Sequence, residues 1–558
     1  MNLSPNERIA GVLAPLFALR HESDLGIGDL EALRQFIDWS RAISFRLVQL
    51  LPINETGGDH SPYNAISSRA IDPTTLYLAP GSPSGLTSEA FEEATREVDL
   101  AALRHGPVRY DIVKPLKKKL LESAFATFQE QPSNSDFEKF CAAESDWLDD
   151  YTRFRVLMEQ NGERETWDQW PEQSLGENAA ERRQFFRYVQ WIAHEQWRTI
   201  KIYAAERGVA LMGDVPFGVS YYSADVFAHP GRFRLDWSGG APPEPYFKDD
   251  AFTQKWGQNW GIPLYDWQAM RAQDFSWWRQ RIRGVKEIFH AFRIDHILGF
   301  YRTYAFPWRP GRNEEFLPLS REEMRERTGG REPHFAPRND RTWENCEANR
   351  REGEEYLRVV LEESGATRIV GEDLGTVPDY VRPNLRSLGI AGFKIPQWET
   401  SPDDQVIPGS AYERVSVATY ATHDHKPLRA LWEEAFSRND ESAEQARDDL
   451  RKIAAFAGIS APNESDDYLR DFFPVIFAAL FRSESWLAIV MITDLLGRKD
   501  RFNVPGIAAN SNWTRRLATT VKKLGRGRVL KQRLRLVHEL LEKSGRLSDP
   551  ASAAKERG

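Results

Sequence analysis

The chain has 558 residues, 41% hydrophobic and 28% charged, with a formal net charge of −8. That acidic balance repels polyanions and argues against nucleic acid as a partner. Only two cysteines occur, Cys141 and Cys346, the N-terminus lacks a basic stretch running into an apolar one, and no apolar run reaches the ~18 residues of a membrane span; a cytoplasmic protein with no signal peptide and no membrane partner is expected.

In chain order, short apolar or β-branched runs ending in Gly, Pro or Asp read as buried parallel strands. Eight such runs occupy residues 9–19, 45–53, 209–217, 292–298, 368–374, 392–395, 415–420 and 488–495. Helical patterns alternate with them, at 30–42, 182–207, 275–291, 377–388, 427–436, 471–487 and 512–524. Alternation of this kind implies a parallel sheet, and eight strands suggest closure. The predicted fold class is α/β, a (β/α)₈ TIM barrel.

The spacing is uneven. About 155 residues separate the second and third strand runs, where one βαβ unit needs about 30. Amphipathic patterns at 88–97, 112–129 and 135–160 predict a mainly helical subdomain inserted over 75–180. A second insertion, 231–267, is loop-like and rich in Pro, Gly, Trp and Tyr, and a third, 307–349, is strongly charged. Long loops on a barrel rim commonly wall the substrate. The catalytic barrel is expected to end near 530, leaving 531–558 as a C-terminal helix and frayed tail, with no C-terminal β-sandwich. No CxxC pair, HExxH or P-loop occurs, so neither a metal nor an organic cofactor is expected.

Four of the strand runs end in polar clusters: Met212-Gly213-Asp214-Val215-Pro216, Phe292-Arg293-Ile294-Asp295-His296, Val370-Gly371-Glu372-Asp373-Leu374 and Thr422-His423-Asp424. The C-terminal rim is where TIM barrels build active sites. Arg293 and Asp295, two apart on a strand, point to the same side, and a guanidinium beside a carboxylate favours its ionised form, as a nucleophile requires. A second carboxyl near other acids, pushed toward protonation by burial and like charge, suits proton donation. Two such groups plus a third match retaining glycoside chemistry. Taken singly each has a bland reading: Arg293-x-Asp295 as a wall ion pair, Glu372-Asp373 as a solvated loop tip or helix cap, Asp424 as the cap of a helix starting near Pro427. Four in order at strand ends outweigh those readings. The 18 tryptophans are largely core filling, but flat aromatic faces also suit sugar rings.

These motifs closely resemble the α-amylase clan, and more specifically the 4-α-glucanotransferases called amylomaltases or disproportionating enzymes, glycoside hydrolase family 77. Further matching stretches are Gly26-Ile27-Gly28-Asp29-Leu30, Ser61-Pro62-Tyr63, Ser223-Ala224-Asp225-Val226, Gly257-Gln258-Asn259-Trp260-Gly261 and Arg501-Phe502-Asn503-Val504-Pro505-Gly506, so the likeness spans roughly residues 8 to 530. The resemblance implies Asp295 as nucleophile, Glu372 as general acid/base and Asp424 as the third carboxylate. It places Arg293, His296 and His423 at the cleaved sugar and Tyr63, Gln258 and Trp260 against the glucan, with Asp214 among the binding residues. The chain departs from the family in three places. Ala14-Pro15-Leu16-Phe17-Ala18-Leu19-Arg20 replaces H-P-T-S-L-P-G, His425 stands where the family has Asn, and Pro242-Pro243-Glu244-Pro245-Tyr246-Phe247 replaces P-P-D-Y-F. All three lie outside the triad and bear on acceptor choice and donor length.

The expected activity is transfer of an α-1,4-glucan segment from a glucan or maltooligosaccharide donor to the 4-hydroxyl of glucose or a maltooligosaccharide. A retaining α-glucan hydrolase would use the same carboxylates. A non-catalytic glucan-binding barrel would be expected to have lost at least one of them.

Overall fold

A computed structural model describes residues 3–131, 134–243, 250–505 and 511–547. Eight parallel strands follow one another in chain order: Ile9–Leu13 (β1), Leu47–Gln49 (β2), Ala210–Pro216 (β3), Ala291–Asp295 (β4), Arg368–Gly371 (β5), Gly392–Lys394 (β6), Ser416–Ala418 (β7) and Leu487–Met491 (β8). Each expected strand run overlaps one of them, and six contain theirs whole. Neighbours pair in register from Ile9↔Leu487 through Gly11↔Leu47, Leu47↔Ala210, Met212↔Ala291 and Ala291↔Arg368, with Gly392↔Ser416 and Val417↔Leu487 completing the other arc. A bridge between Val370 and Ala391 joins β5 to β6, which closes the barrel.

Alternation along each strand decides which side chains face the barrel axis. Ala210 and Met212 of β3, Ala291 of β4 and Val370 of β5 belong to the interior cluster, with Ile9, Leu13, Leu47, Phe393, Val417 and Leu487. Phe292 and Ile294, one residue out of phase, pack outward against the helices. Continuing the inward register by twos arrives at Asp214 on β3, Arg293 and Asp295 on β4, and Glu372 just past β5. The pattern that fills the core thus aims the acids into the barrel mouth.

Between β2 and β3 the chain runs through helices Ser88–Thr95, Leu100–His105, Tyr110–Gln129, Ser135–Ala143 and Ser145–Gln160, then the 28-residue helix Ala179–Glu206. The single helix expected at 135–160 is broken at Glu144, a buried residue whose carboxylate accepts from Arg69 and from the indole of Trp147.

Two expectations are corrected. The loop-like segment 231–267 forms the strands Phe233–Ala241 and Gln258–Tyr265, which pair antiparallel and join Thr303–Phe306 and His334–Ala336 in a separate four-stranded sheet. Two register shifts interrupt the pairing, and the Gly and Pro residues there hide the period-two pattern. The helix expected at 512–524 is absent apart from a single 3₁₀ turn, Val521–Lys523. Its backbone groups bond to distant partners instead: Leu517 N–H donates to the Ala18 carbonyl and Val521 N–H to that of Arg20, while Arg20 Nη1 donates to the carbonyls of Leu517 and Ala518. Tertiary pairing has replaced the helical bonds.

Beyond β8 the helix Arg528–Lys543 packs through Leu534, Val537 and Leu541. It leads to Arg546, whose buried guanidinium donates to the carbonyls of Ile9, Phe481, Ser483, Ser485 and Trp486 at 2.6–3.1 Å. One side chain therefore ties together five backbone carbonyls at the N-terminal end of the barrel, beside β1 and β8. Glu244–Phe247 of the altered loop, Gly506 and the expected frayed tail lie outside the described residues. Among the described residues no helix is long and apolar enough to cross a membrane.

Candidate active site

The three expected carboxylates come from three strand ends of the barrel mouth. Asp295 is the last residue of β4, and its side chain is 28% exposed. Arg293 Nη2 lies 2.7 Å from Asp295 Oδ1, while Nη1 donates to both oxygens of Asp214, at 2.8 and 2.7 Å. Asp214 also accepts from the Tyr63 hydroxyl at 2.7 Å. Burial first, and then the Asp214 charge, push the Tyr63 phenol far up, so it remains a donor. The Arg293–Asp214 pair, both buried, is thus a fixed mount against which Asp295 is held.

Glu372 sits one residue beyond β5. Directly after Asp295, His296 adopts a left-handed conformation at φ 48°, uncommon for a residue with a Cβ. That twist brings the His296 N–H within 2.9 Å of Glu372 Oε2, and Leu374 N–H donates to Oε1 at 2.9 Å. Gly371 permits the close approach of the two strand ends, since a Cβ there would lie 2.5 Å from the Ile297 side chain. Burial raises the Glu372 carboxyl to about 7; Arg293 opposes that rise and Asp295 adds to it. The neighbouring Asp373 is neither loop tip nor helix cap. It is buried and accepts from Phe393 N–H at 2.6 Å and Arg382 Nε at 3.1 Å, tying the Glu372 loop to β6.

Asp424 follows β7 in the segment Thr422-His423-Asp424. His423 Nε2 lies 3.1 Å from its Oδ2, and the Asn503 amide donates to its Oδ1 at 2.6 Å. Burial alone would raise this carboxyl, but His423 and Asn503 hold it well below the usual carboxylate range. Arg501 Nη2 donates to the Asp424 carbonyl at 2.7 Å. Asp424 does not cap the next helix, Leu428–Ser437. Asp494, from the turn after β8, takes the Leu428 N–H at 2.6 Å.

All ten sequence-singled residues join one network. The Tyr63 ring stacks on His423 at 5.0 Å and 8°. Trp260 stands edge-on to His296 at 4.8 Å and donates to Gln258 Oε1 at 3.0 Å. The geometry adds residues that sequence reading did not single out. Asn503 is one, though it stood inside a matching stretch, and Trp513 packs 5.9 Å from Tyr63. Among the described residues no three or more His, Cys, Asp or Glu side chains group as metal ligands would. The arrangement offers one carboxylate held beside a cation, one protonatable near neutral pH and one held ionised, which is the set that retaining glycosyl chemistry uses.

The family model described as 4-alpha-glucanotransferase, glycoside hydrolase 77, matches residues 14–521. A 4-alpha-glucanotransferase of Chlamydia caviae is 29% identical over 537 residues, covering 92% of this chain and 91% of the relative. One of Thermus thermophilus is 29% identical over 538 residues, covering 91% and 95%. Among solved structures, amylomaltase from Streptococcus agalactiae in complex with acarbose matches with a TM-score of 0.72 at 21% identity, over 97% of this chain and 100% of that one. The Corynebacterium glutamicum amylomaltase matches at 0.76 and 20% identity, over 97% and 76%. At those identities the two structures speak for the fold.

Proposed function

Because the chain belongs to the 4-alpha-glucanotransferase family, glycoside hydrolase family 77, we propose that Asp295 is its nucleophile, Glu372 its general acid and base, and Asp424 the carboxylate that holds the hydroxyls of the reacting sugar. The enzyme is a retaining 4-α-glucanotransferase. Asp295 attacks the anomeric carbon while the Glu372 proton passes to the leaving glycosidic oxygen. The covalent glycosyl ester on Asp295 is then opened by an acceptor hydroxyl whose proton returns to Glu372. Asp424, ionised throughout, stabilises the positive charge that develops on the ring.

The observation that carries this assignment is the contrast between two neighbouring acids. Asp295 is held by Arg293 at 2.7 Å, whereas Glu372 is pushed up to about 7 by burial. One is suited to attack and the other to carry a proton at neutral pH. The donor is an α-1,4-glucan or maltooligosaccharide and the acceptor glucose or a maltooligosaccharide. Trp260 and Tyr63, packed on His296 and His423, support exclusion of water in favour of an acceptor. Two free cysteines support a reducing compartment, and the enzyme is assigned to the cytoplasm.

Incubation with maltotriose tests this, following the product ladder and total reducing ends together. Shorter and longer maltooligosaccharides at constant reducing ends mean transfer. Rising reducing ends with only shorter products mean a hydrolase and overturn the reading.

A further inference from the structure

Two half-exposed tryptophans at the barrel mouth repeat one arrangement. Trp260 meets His296 with ring centroids 4.8 Å apart and planes at 83°; Trp398 meets His425 at 4.8 Å and 64°. In both cases the histidine directly follows a carboxylate of the triad, Asp295-His296 after β4 and Asp424-His425 after β7. The strand order places these two sites three strands apart round an eight-stranded ring, with the Glu372 loop between them. Trp260 and Trp398 are 39% and 47% exposed as residues, so neither is committed to the core.

The second pair has its own chemistry. Thr422 N–H donates to His425 Nδ1 at 3.0 Å, with Thr422 Oγ1 at 2.8 Å. Nδ1 is therefore the acceptor and the ring proton sits on Nε2. Burial pushes this imidazole down to about 4, against the pull of Asp424, so it is neutral at physiological pH. An N–H donor beside an open aromatic face fits a pyranose, whose C–H face lies on the ring while a hydroxyl accepts the hydrogen bond. His425 is also where the chain departs from the family's Asn.

We propose that Trp398 and His425 form a second sugar-binding platform, which grips the glucan chain beside Asp424 on the flank away from the Trp260–His296 platform. This rests on the reading of the site as glucan-binding. A chain held on both flanks keeps the incoming sugar in place while the glycosyl ester waits, which favours transfer over hydrolysis.

The test uses the full chain carrying Asp295→Asn, whose turnover is expected to be cut about 10³-fold or more, and maltoheptaose binding by titration calorimetry. Adding Trp398→Ala is expected to weaken binding about tenfold, with Trp398→Phe recovering most of it. His425→Asn, the family's own residue, is expected to cost a severalfold loss and keeps the test open if Trp398→Ala melts early. Trp343→Ala, which removes a tryptophan 75% exposed elsewhere, serves as the control and leaves binding unchanged. In the otherwise wild-type enzyme, Trp398→Ala raises the ratio of hydrolysis to transfer. The platform is overturned if Trp398→Ala and His425→Asn both fold and bind within about twofold of the parent. If the Asp295→Asn parent itself does not bind maltoheptaose and the wild type makes no maltotriose ladder, the glucan reading falls instead.

Discussion

Arg293 and Asp295, two residues apart on β4, are joined by a 2.7 Å contact from Nη2 to Oδ1, while Nη1 of the same guanidinium is committed to Asp214. The planar fork presents one nitrogen to each carboxylate in a fixed geometry. An ammonium at this position would keep the charge and lose that fixed geometry. Arg293→Lys is expected to lower kcat/KM for maltotriose disproportionation by roughly 10²-fold or more, with an unchanged circular dichroism spectrum. Activity within a few-fold of wild type would show that Asp295 needs no such mount.

Glu372 is expected to give the activity its alkaline limit. In the proposed mechanism the first half-reaction needs this carboxyl protonated, and burial raises it to about 7. As pH rises through that value the acid form is lost, so kcat/KM should decline tenfold per pH unit above about 7. Glu372→Gln should abolish that limb along with most of the activity. An alkaline limb that survives unchanged in the residual activity of Glu372→Gln would assign it to another group.

Removing the proposed nucleophile is the most direct test of the proposed triad. Asp295→Asn should lower turnover by about 10³-fold or more while leaving the melting temperature close to wild type, since the side chain is partly exposed. Near-normal turnover would move the nucleophile elsewhere.

Asp494 should leave its mark on stability rather than on rate. It is buried, its Oδ1 accepts from Leu428 N–H, and burial raises it to about 7. The folded state therefore holds this proton across a pH range where the unfolded chain has released it. The associated stability is complete below about pH 4 and is lost as pH rises through about 7. Asn in its place keeps the acceptor oxygen and cannot titrate. Between pH 4 and 8 the unfolding free energy of wild type should fall relative to Asp494→Asn by something on the order of 3 kcal/mol, read from urea denaturation. Parallel profiles would mean that Asp494 is ionised in the folded protein.

The barrel and its rim were legible because both obey one rule. Buried parallel strands are short apolar runs, and the inward register that ends in Asp214, Asp295 and Glu372 can be counted by twos from Met212, Arg293 and Val370. The antiparallel sheet was not legible, because its strands Phe233–Ala241 and Gln258–Tyr265 carry Gly and Pro and shift register, which erases the alternation. At 512–524 a helical pattern lost to long-range partners such as Ala18 and Arg20 that no local window contains. Asn503 and Trp398 were missed for a related reason: a lone amide or indole has no periodicity, and its role depends on what the fold sets beside it. His425 was visible only as a departure from a family pattern, and the contact with Trp398 gives that departure a physical meaning.

The guanidinium of Arg546 reaches back across 537 residues to the carbonyl of Ile9 in β1. β1 is therefore synthesised 537 residues ahead of the side chain that latches it. β1 and β8 can pair through their own backbone before then, but this side-chain latch forms only once the helix Arg528–Lys543 and the turn after it have left the exit tunnel. A polypeptide cut short within that helix would carry Asp295, Glu372 and Asp424 on a barrel that lacks this latch.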